Sequence, residues 1–260
     1  MPEGDILRRT AARLDQALAG RVVRRAELRW PDAGGVELAG RTVLGTRAYG
    51  KHLLTRLDDG RTLHTHLRMD GSWRVARTGS TAGIERDPWV RAVLAADSWT
   101  AIGLRLGMLD VLRTRDEPTV IGHLGPDVLD DDFPTDGLPV VLARVAAEPR
   151  PIAEVLLDQR VLAGLGTIWT AETLFARRVW PWTPAHEAPD PASLVMTARE
   201  LMGRAVTADP RPRVHGRLGR PCERCGTPVA VGTARRPPME RPVFWCPTCQ
   251  APPSGSLDGA

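Results

Sequence analysis

Cys222-Glu223-Arg224-Cys225 and Cys246-Pro247-Thr248-Cys249 set two Cys-x2-Cys turns twenty residues apart, and together they use every cysteine in the chain. Each such turn aims two thiolates at one point, so the spacing fits a tetrahedral four-cysteine zinc ribbon with a β-hairpin spanning the gap. Use of all four cysteines argues against a redox pair, and four are too few for a disulfide scaffold. The expected cofactor is one structural Zn2+ held by Cys222, Cys225, Cys246 and Cys249. A closed thiolate shell leaves no position for a catalytic water, which disfavours a metallohydrolase. So short a segment cannot fold on its own core, and metal binding supplies its folding energy.

The preceding 220 residues read as two kinds of structure. Leu7, Ala11, Leu14 and Leu18 form a helical stripe across residues 5–19 that Gly20 closes. Short segments with partial alternation follow at 21–28, 41–48, 52–57, 61–67, 72–76, 90–95 and 100–106. Turns such as Asp58-Asp59-Gly60 and Asp70-Gly71-Ser72 separate them. Many short strands with tight turns predict a β-sandwich with the first helix against it. Beyond Leu112 the pattern turns helical, around 138–147, 152–163, 167–177 and 193–205. The expected class is α+β, divided into an N-terminal β-sandwich domain (1–115), a helical domain (116–210), the zinc ribbon (211–250) and a disordered tail (251–260).

Charge is distributed unevenly. Residues 116–158 carry ten carboxylates against Arg144 and Arg150, whereas 211–249 carry eight arginines against Glu223 and Glu240. The acidic stretch reads as a linker plus a solvated surface turned away from any polyanion. The basic one suggests a phosphate-backbone partner, with binding that weakens as salt rises. Between them, Gly164-Leu165-Gly166 joins one helix to another that opens at Thr167. Such a joint suits either a plain helix corner or a phosphate seated on the new helix N-terminus. No apolar run approaches the ~20 residues of a membrane span. Glu3 and Asp5 precede any apolar stretch, so no secretory signal is expected. A monomeric, cytoplasmic, nucleoid-associated protein is the expectation.

Of the 35 basic side chains one is lysine, Lys51, and the rest are arginine. An ammonium can shift its pKa and act as a compact donor, which a guanidinium cannot, so a lone lysine is a candidate for chemistry. Its context strengthens this. Pro2-Glu3-Gly4, Gly50-Lys51-His52, the run from His66 through Arg68, Met69, Asp70 and Gly71 to Arg74, Leu157-Asp158-Gln159 through Gly166, and the cysteine pairs with Arg241 occur in one order. That order resembles the formamidopyrimidine-DNA glycosylase / endonuclease VIII family of bifunctional DNA repair enzymes, over about residues 2–250.

The resemblance implies a β-sandwich and a helix–two-turn–helix domain with a zinc ribbon, clamping damaged DNA in the cleft between. It implies that Pro2, with Met1 removed, attacks the sugar C1′ through its secondary amine and displaces the damaged base. The resulting Schiff base then drives β,δ-elimination. A terminal amine titrates near ~8, so a useful fraction is unprotonated at neutral pH. Glu3 would be the acid/base at the sugar, Lys51 would contact phosphate and assist base departure, and Arg241 would grip the flanking phosphates. Met69, beside Arg68, would be the wedge that fills the hole left by the extruded base. Gly166, Thr167 and Arg217 would touch DNA. His64 and His66, lacking a third ligand, read as structural.

Several positions depart from the family pattern. Thr167 stands where Asn is usual, His215-Gly216-Arg217 replaces Tyr-Gly-Arg, and Trp169 replaces Tyr. Leu104-Arg105-Leu106-Gly107 lacks the first Arg and the Phe of Arg-Arg-Phe-Gly, and 202–215 is too short for the loop that caps 8-oxoguanine. These features lean toward the endonuclease VIII side, with oxidised pyrimidines and abasic sites as substrates. The competing readings are an 8-oxoguanine/formamidopyrimidine-directed glycosylase and a non-catalytic zinc-ribbon binder of damaged or branched DNA.

Overall fold

The computed structural model describes residues 2–235 and 239–252. Met1, Arg236 of the basic stretch, and 253–260 of the expected tail lie outside the described residues. The chain divides into two units, one running to His123 and the other starting at Leu124.

In the first unit the apolar stripe forms α1 (Gly4–Leu18), and Leu7, Ala11, Leu14 and Leu18 are buried along one face. Two four-stranded antiparallel sheets receive that face. One has the order β1 (Arg25–Leu28), β6 (Val90–Ala95), β7 (Trp99–Leu104), β5 (Ser72–Arg77). The other runs β2 (Val43–Tyr49), β3 (His52–Leu57), β4 (Arg61–His66), β8 (Met108–Arg113). Leu53, Leu57, Leu63, Leu94 and Leu109 complete one core with the helix stripe. The Asp15 carboxylate accepts from the Thr46 N–H at 2.8 Å and ties α1 to β2.

The sandwich and its helix are as expected, with local differences. The first strand is shorter than 21–28, and Val22 makes only an isolated bridge to Thr42. Strand β8 was not anticipated. A short helix α2 (Ala82–Glu85) precedes β6, and α3 (Pro118–Ile121) follows β8.

The first unit extends past the expected boundary at 115 because Glu117 is anchored to the second sheet. Its carboxylate, almost wholly buried, accepts from Arg56 at 2.8 and 2.6 Å, from Arg47 at 3.2 Å and from the Thr62 hydroxyl at 2.8 Å. Burial pushes the Glu117 pKa up, but the Arg56 and Thr62 bonds outweigh it and hold the carboxyl at about 2. The folded value lies below the ordinary 4.5, so this stabilisation is complete above about pH 4.5 and is lost as pH falls toward 2. Glu117→Gln is expected to lower stability at pH 7 by about 2 kcal/mol and to flatten the acid limb, as read by urea midpoints from pH 3 to 7.

The second unit packs α4 (Leu138–Ala146), α5 (Ile152–Leu157), α6 (Thr167–Arg177) and α7 (Pro191–Thr207) around Val141, Val145, Leu156, Leu174, Leu194 and Met202. The Asp190 side chain accepts from the Ser193 N–H at 3.1 Å and caps α7. Helix α5 ends at Leu157, not at Ala163. The hairpin β9 (Ala230–Ala234) with β10 (Arg241–Trp245) closes the chain. No helix among the described residues is long and apolar enough to cross a membrane.

Candidate active site and metal centre

Helix α1 begins at Gly4, so Glu3 is its N-cap, with its carbonyl accepting from Ile6 and Leu7. The Glu3 side chain does not cap the helix, yet the residue is 1% exposed. Pro2 directly before it is half-buried. A buried carboxylate next to the first residues of a chain is unusual, because termini ordinarily lie in water.

Lys51 sits with Gly50 in a two-residue turn between the paired Tyr49 and His52. Gly50 takes φ +55°, which lets the strand reverse within that length. The turn brings Lys51 near enough to His66 for its charge to act on that imidazole, one of a cluster. His64 donates through Nδ1 to Asp110 at 3.3 Å, so its Nε2 accepts the Nδ1–H of His52 at 2.8 Å. His52 stacks on His64 at 5.1 Å and meets His66 edge-on at 5.0 Å. Burial, then the neighbouring imidazoles, push His52 down to about 3. Burial, then the charges of Lys51 and Arg68, push His66 down to about 4. These rings are neutral at pH 7. Among the described residues, the four cysteines are the only group of three or more side chains disposed to hold a metal.

Between β4 and β5, Arg68 adopts φ +51°. Its N–H donates to His66 Nδ1 at 2.8 Å, and the Gly71 N–H donates to the Leu67 carbonyl at 2.9 Å. A Cβ on Gly71 would lie 2.4 Å from that carbonyl oxygen, so only glycine closes the turn this tightly. Met69 projects from it, 63% exposed.

In the second unit the Gln159 amide organises the joint. Its Nε2 donates to the carbonyls of Leu165 at 2.7 Å and Leu157 at 3.2 Å, and its Oε1 accepts from the Gly164 N–H at 3.0 Å. Gly164 sits at φ +104°, and Gly166 is the N-cap of α6, with Thr167 as its first residue. His215 lies against this end. Burial pushes its pKa down while a hydrogen bond to the Thr167 backbone opposes the shift, and its ring packs edge-on to Phe244 at 4.9 Å. Glu172 on α6 holds the segment in place by accepting from the N–H groups of Arg213, Val214 and His215, each at 2.9 Å.

Arg217 is brought beside the ribbon but is not a free cation. It pairs with Glu223 at 2.6 Å, and Arg213 shares that carboxylate at 3.3 Å. Arg224 stacks on Phe175 at 4.1 Å and donates to the last carbonyls of α6. Arg241 opens β10 opposite Ala234.

The four cysteine sulfurs lie within 4.8 Å of one another, with Cys225–Cys246 at 3.4 Å and Cys222–Cys249 at 3.9 Å. Zn–S bonds of ~2.3 Å put tetrahedral sulfurs about 3.8 Å apart, so the set fits that ion. The N–H groups of Arg224 and Cys249 donate to Cys222 and Cys246 sulfurs, both at 3.4 Å, as thiolate acceptors require. Burial and the crowded neighbouring sulfurs push the Cys249 thiol up to about 12, a cost that a dication reverses. Trp182 braces the hairpin. Its indole N–H donates to the Thr233 carbonyl at 3.1 Å, and its ring crosses Gly232 where a Cβ would come within 2.5 Å.

The sequence reading missed Gln159 as the organiser of the joint, Glu172 as the anchor of 213–215, and the His52–His64–Asp110 chain. Gln159 stood inside a quoted motif and Asp110 lay on the unanticipated strand, so part of the signal was present. Glu172, inside an unremarkable helix, gave none.

This architecture is that of a base-excision DNA glycosylase fold, and the comparisons with known proteins agree. Residues 1–124 match the formamidopyrimidine-DNA glycosylase N-terminal domain and 124–211 match the formamidopyrimidine-DNA glycosylase H2TH domain. The "Probable endonuclease 8 2" of Streptomyces coelicolor is 44% identical over 98% of this chain and 95% of its own length. The "DNA-(apurinic or apyrimidinic site) lyase Nei2" of Mycolicibacterium smegmatis is 37% identical over 96% and 99%. In fold, the chain is similar to the Lactococcus lactis formamidopyrimidine DNA glycosylase solved with DNA containing an abasic site, at TM-score 0.82, 22% identity, 96% of this chain and 100% of that one. The chain belongs to the formamidopyrimidine-DNA glycosylase / endonuclease VIII family. Its similarity to the endonuclease 8 relatives puts it on that branch.

Proposed function

We propose that the chain is a bifunctional DNA glycosylase and abasic-site lyase of base excision repair, acting on oxidised pyrimidines. The observation that carries this is the buried Glu3 carboxylate immediately behind Pro2 at the start of α1. A terminal secondary amine with an acid/base beside it is the equipment for iminium chemistry at a sugar carbon.

With Met1 removed, the Pro2 nitrogen attacks C1′ and the bond from C1′ to the damaged base breaks. The base leaves with a proton, and Glu3 protonates the ring oxygen O4′ as the C1′–O4′ bond opens, leaving the iminium between Pro2 and C1′. The iminium acidifies C2′, and loss of that proton expels the 3′ phosphate; a second elimination expels the 5′ phosphate. Lys51 supplies a compact cation for phosphate, and Arg241 a second grip. Met69 occupies the space the extruded base leaves. Gly166, Thr167, Arg68 and Arg217 contact DNA, with Arg217 positioned beside the ribbon by Glu223. The first unit carries the chemistry, the helical domain and ribbon bind DNA, and a single Zn2+ on the four cysteines supplies folding energy to the ribbon.

The test is incubation with abasic-site DNA and borohydride. A covalent protein–DNA adduct, located to Pro2 by mass spectrometry, is the expected result. Absence of adduct with Met1 removed overturns the reading in favour of a non-catalytic binder.

A further inference from the structure

Eight arginines of the first unit meet carboxylates where they stand: Arg24, Arg25, Arg29, Arg41, Arg47, Arg56, Arg61 and Arg115. Arg68, Arg74, Arg91 and Arg105 form no ion pair among the described residues. All four surround one side chain. Trp89 is 49% exposed, with the guanidinium carbon of Arg105 4.9 Å and that of Arg91 5.8 Å from its ring centroid. Two cavities, of about 380 and 470 Å3, share Trp89, Asp70 and Arg105. The first is also lined by Met69 and Arg68, the second by Arg74.

The backbone that carries the indole is tied down. The Trp89 main-chain N–H donates to Asp87 Oδ1 at 2.8 Å, and the Trp89 carbonyl accepts from the Arg105 main-chain N–H at 2.8 Å. Arg105 adopts φ +49°, a conformation a bulky residue keeps only when its surroundings enforce it. Next to it Leu106, the position where the formamidopyrimidine branch carries phenylalanine, is 3% exposed and packs inward over Gly103. That loop therefore presents no apolar side chain of its own beside Met69. Trp89, from the segment entering β6, presents one in its place.

Resting on the DNA-repair reading above, we propose that Trp89 is a stacking platform for the nucleobase of the undamaged strand that loses its partner when the lesion is extruded. Met69 enters the vacancy, and the surface sharing its cavity meets the base across from it. An indole flanked by guanidiniums offers a flat apolar face to the base and positive charge to the adjoining phosphates. Stacking accepts any base, so this surface gives the enzyme tolerance for the opposite base instead of a hydrogen-bonded readout.

The test uses duplexes with a tetrahydrofuran abasic analogue opposite 2-aminopurine, binding Trp89→Phe, Trp89→Leu and the parent chain. The parent complex and Trp89→Phe are expected to quench the probe. Trp89→Leu, with an unchanged melting temperature, gives a several-fold brighter complex and about ten-fold weaker Kd, equally for each natural base opposite. Equal quenching and equal Kd for Trp89→Leu and the parent overturn the proposal, as does a loss confined to one opposite base. Borohydride trapping on abasic DNA is run alongside. If the parent chain forms no adduct the glycosylase reading fails, whereas an adduct formed with no Trp89 effect on stacking defeats only the platform.

Discussion

One extra residue placed ahead of Pro2 is expected to abolish borohydride trapping and to lower strand cleavage by at least ~10^3-fold, while DNA binding changes little. The extension converts the secondary amine into an amide, whose nitrogen lone pair is delocalised and cannot attack C1′. Glu3 is fixed as the N-cap of α1 through its carbonyl, which accepts from Ile6 and Leu7, so an added residue ahead of Pro2 is expected to leave it in place. Pro2→Gly separates two components of the effect. A primary amine retains nucleophilicity and a titrating nitrogen, so this variant is expected to keep a slower trapping reaction. Gel analysis of trapped and cleaved products reads both. Full cleavage by the extended chain removes Pro2 from the mechanism.

Cys246→Ser is expected to have the largest effect on structure. Cys246 is buried, and its backbone N–H is engaged by the Gln250 side chain at 3.0 Å. A structural zinc contributes about 10–16 kcal/mol of apparent binding energy, and a serine hydroxyl does not replace a thiolate. Loss of the ion leaves only the small apolar cluster of Val229 and Phe244 on Phe175, with the Trp182 and Arg224 contacts, to hold the ribbon. The expected outcome is proteolytic sensitivity confined to about residues 211–250, zinc content falling to near zero, and loss of DNA affinity, with the first unit still melting cooperatively. A strong chelator at raised temperature produces the same cleavage pattern in the parent chain. A variant with no zinc and unchanged protease resistance defeats the structural role.

Local signals and long-range pairing contributed differently to what the sequence revealed. Strands bounded by Asp58-Asp59-Gly60 or by the turn around Gly71 are legible because the turn chemistry is local. Strand β8 is not: Met108, Leu109, Val111 and Leu112 have spacings that suit a helix as well as a strand. Its state is decided by pairing with β4, from Arg61↔Arg113 to His66↔Met108. The reverse error occurs at α5. Apolar residues continue to Leu162, but the Gln159 amide takes the carbonyls of Leu157 and Leu165, and the helix stops at Leu157.

In the proposed site, Pro2, Glu3, Lys51 and the cysteines are legible from residue type and order. The state of each arginine does not appear in a sequence so rich in them. Arg217 and Arg105 look alike on paper, yet one is held by Glu223 and the other lies against an exposed indole with no carboxylate partner among the described residues. Pairing of charges is a property of the folded surface.

The scarcity of ammonium groups has a practical consequence. Guanidiniums resist acylating reagents at neutral pH, so beyond the terminal nitrogen the half-buried Lys51, set in its Gly50 turn, is the sole side chain open to amine-directed labelling. Mass spectrometry after such labelling therefore reports on the proposed reaction centre alone, and protection by added oligonucleotide is expected to measure its occupancy without any engineered tag.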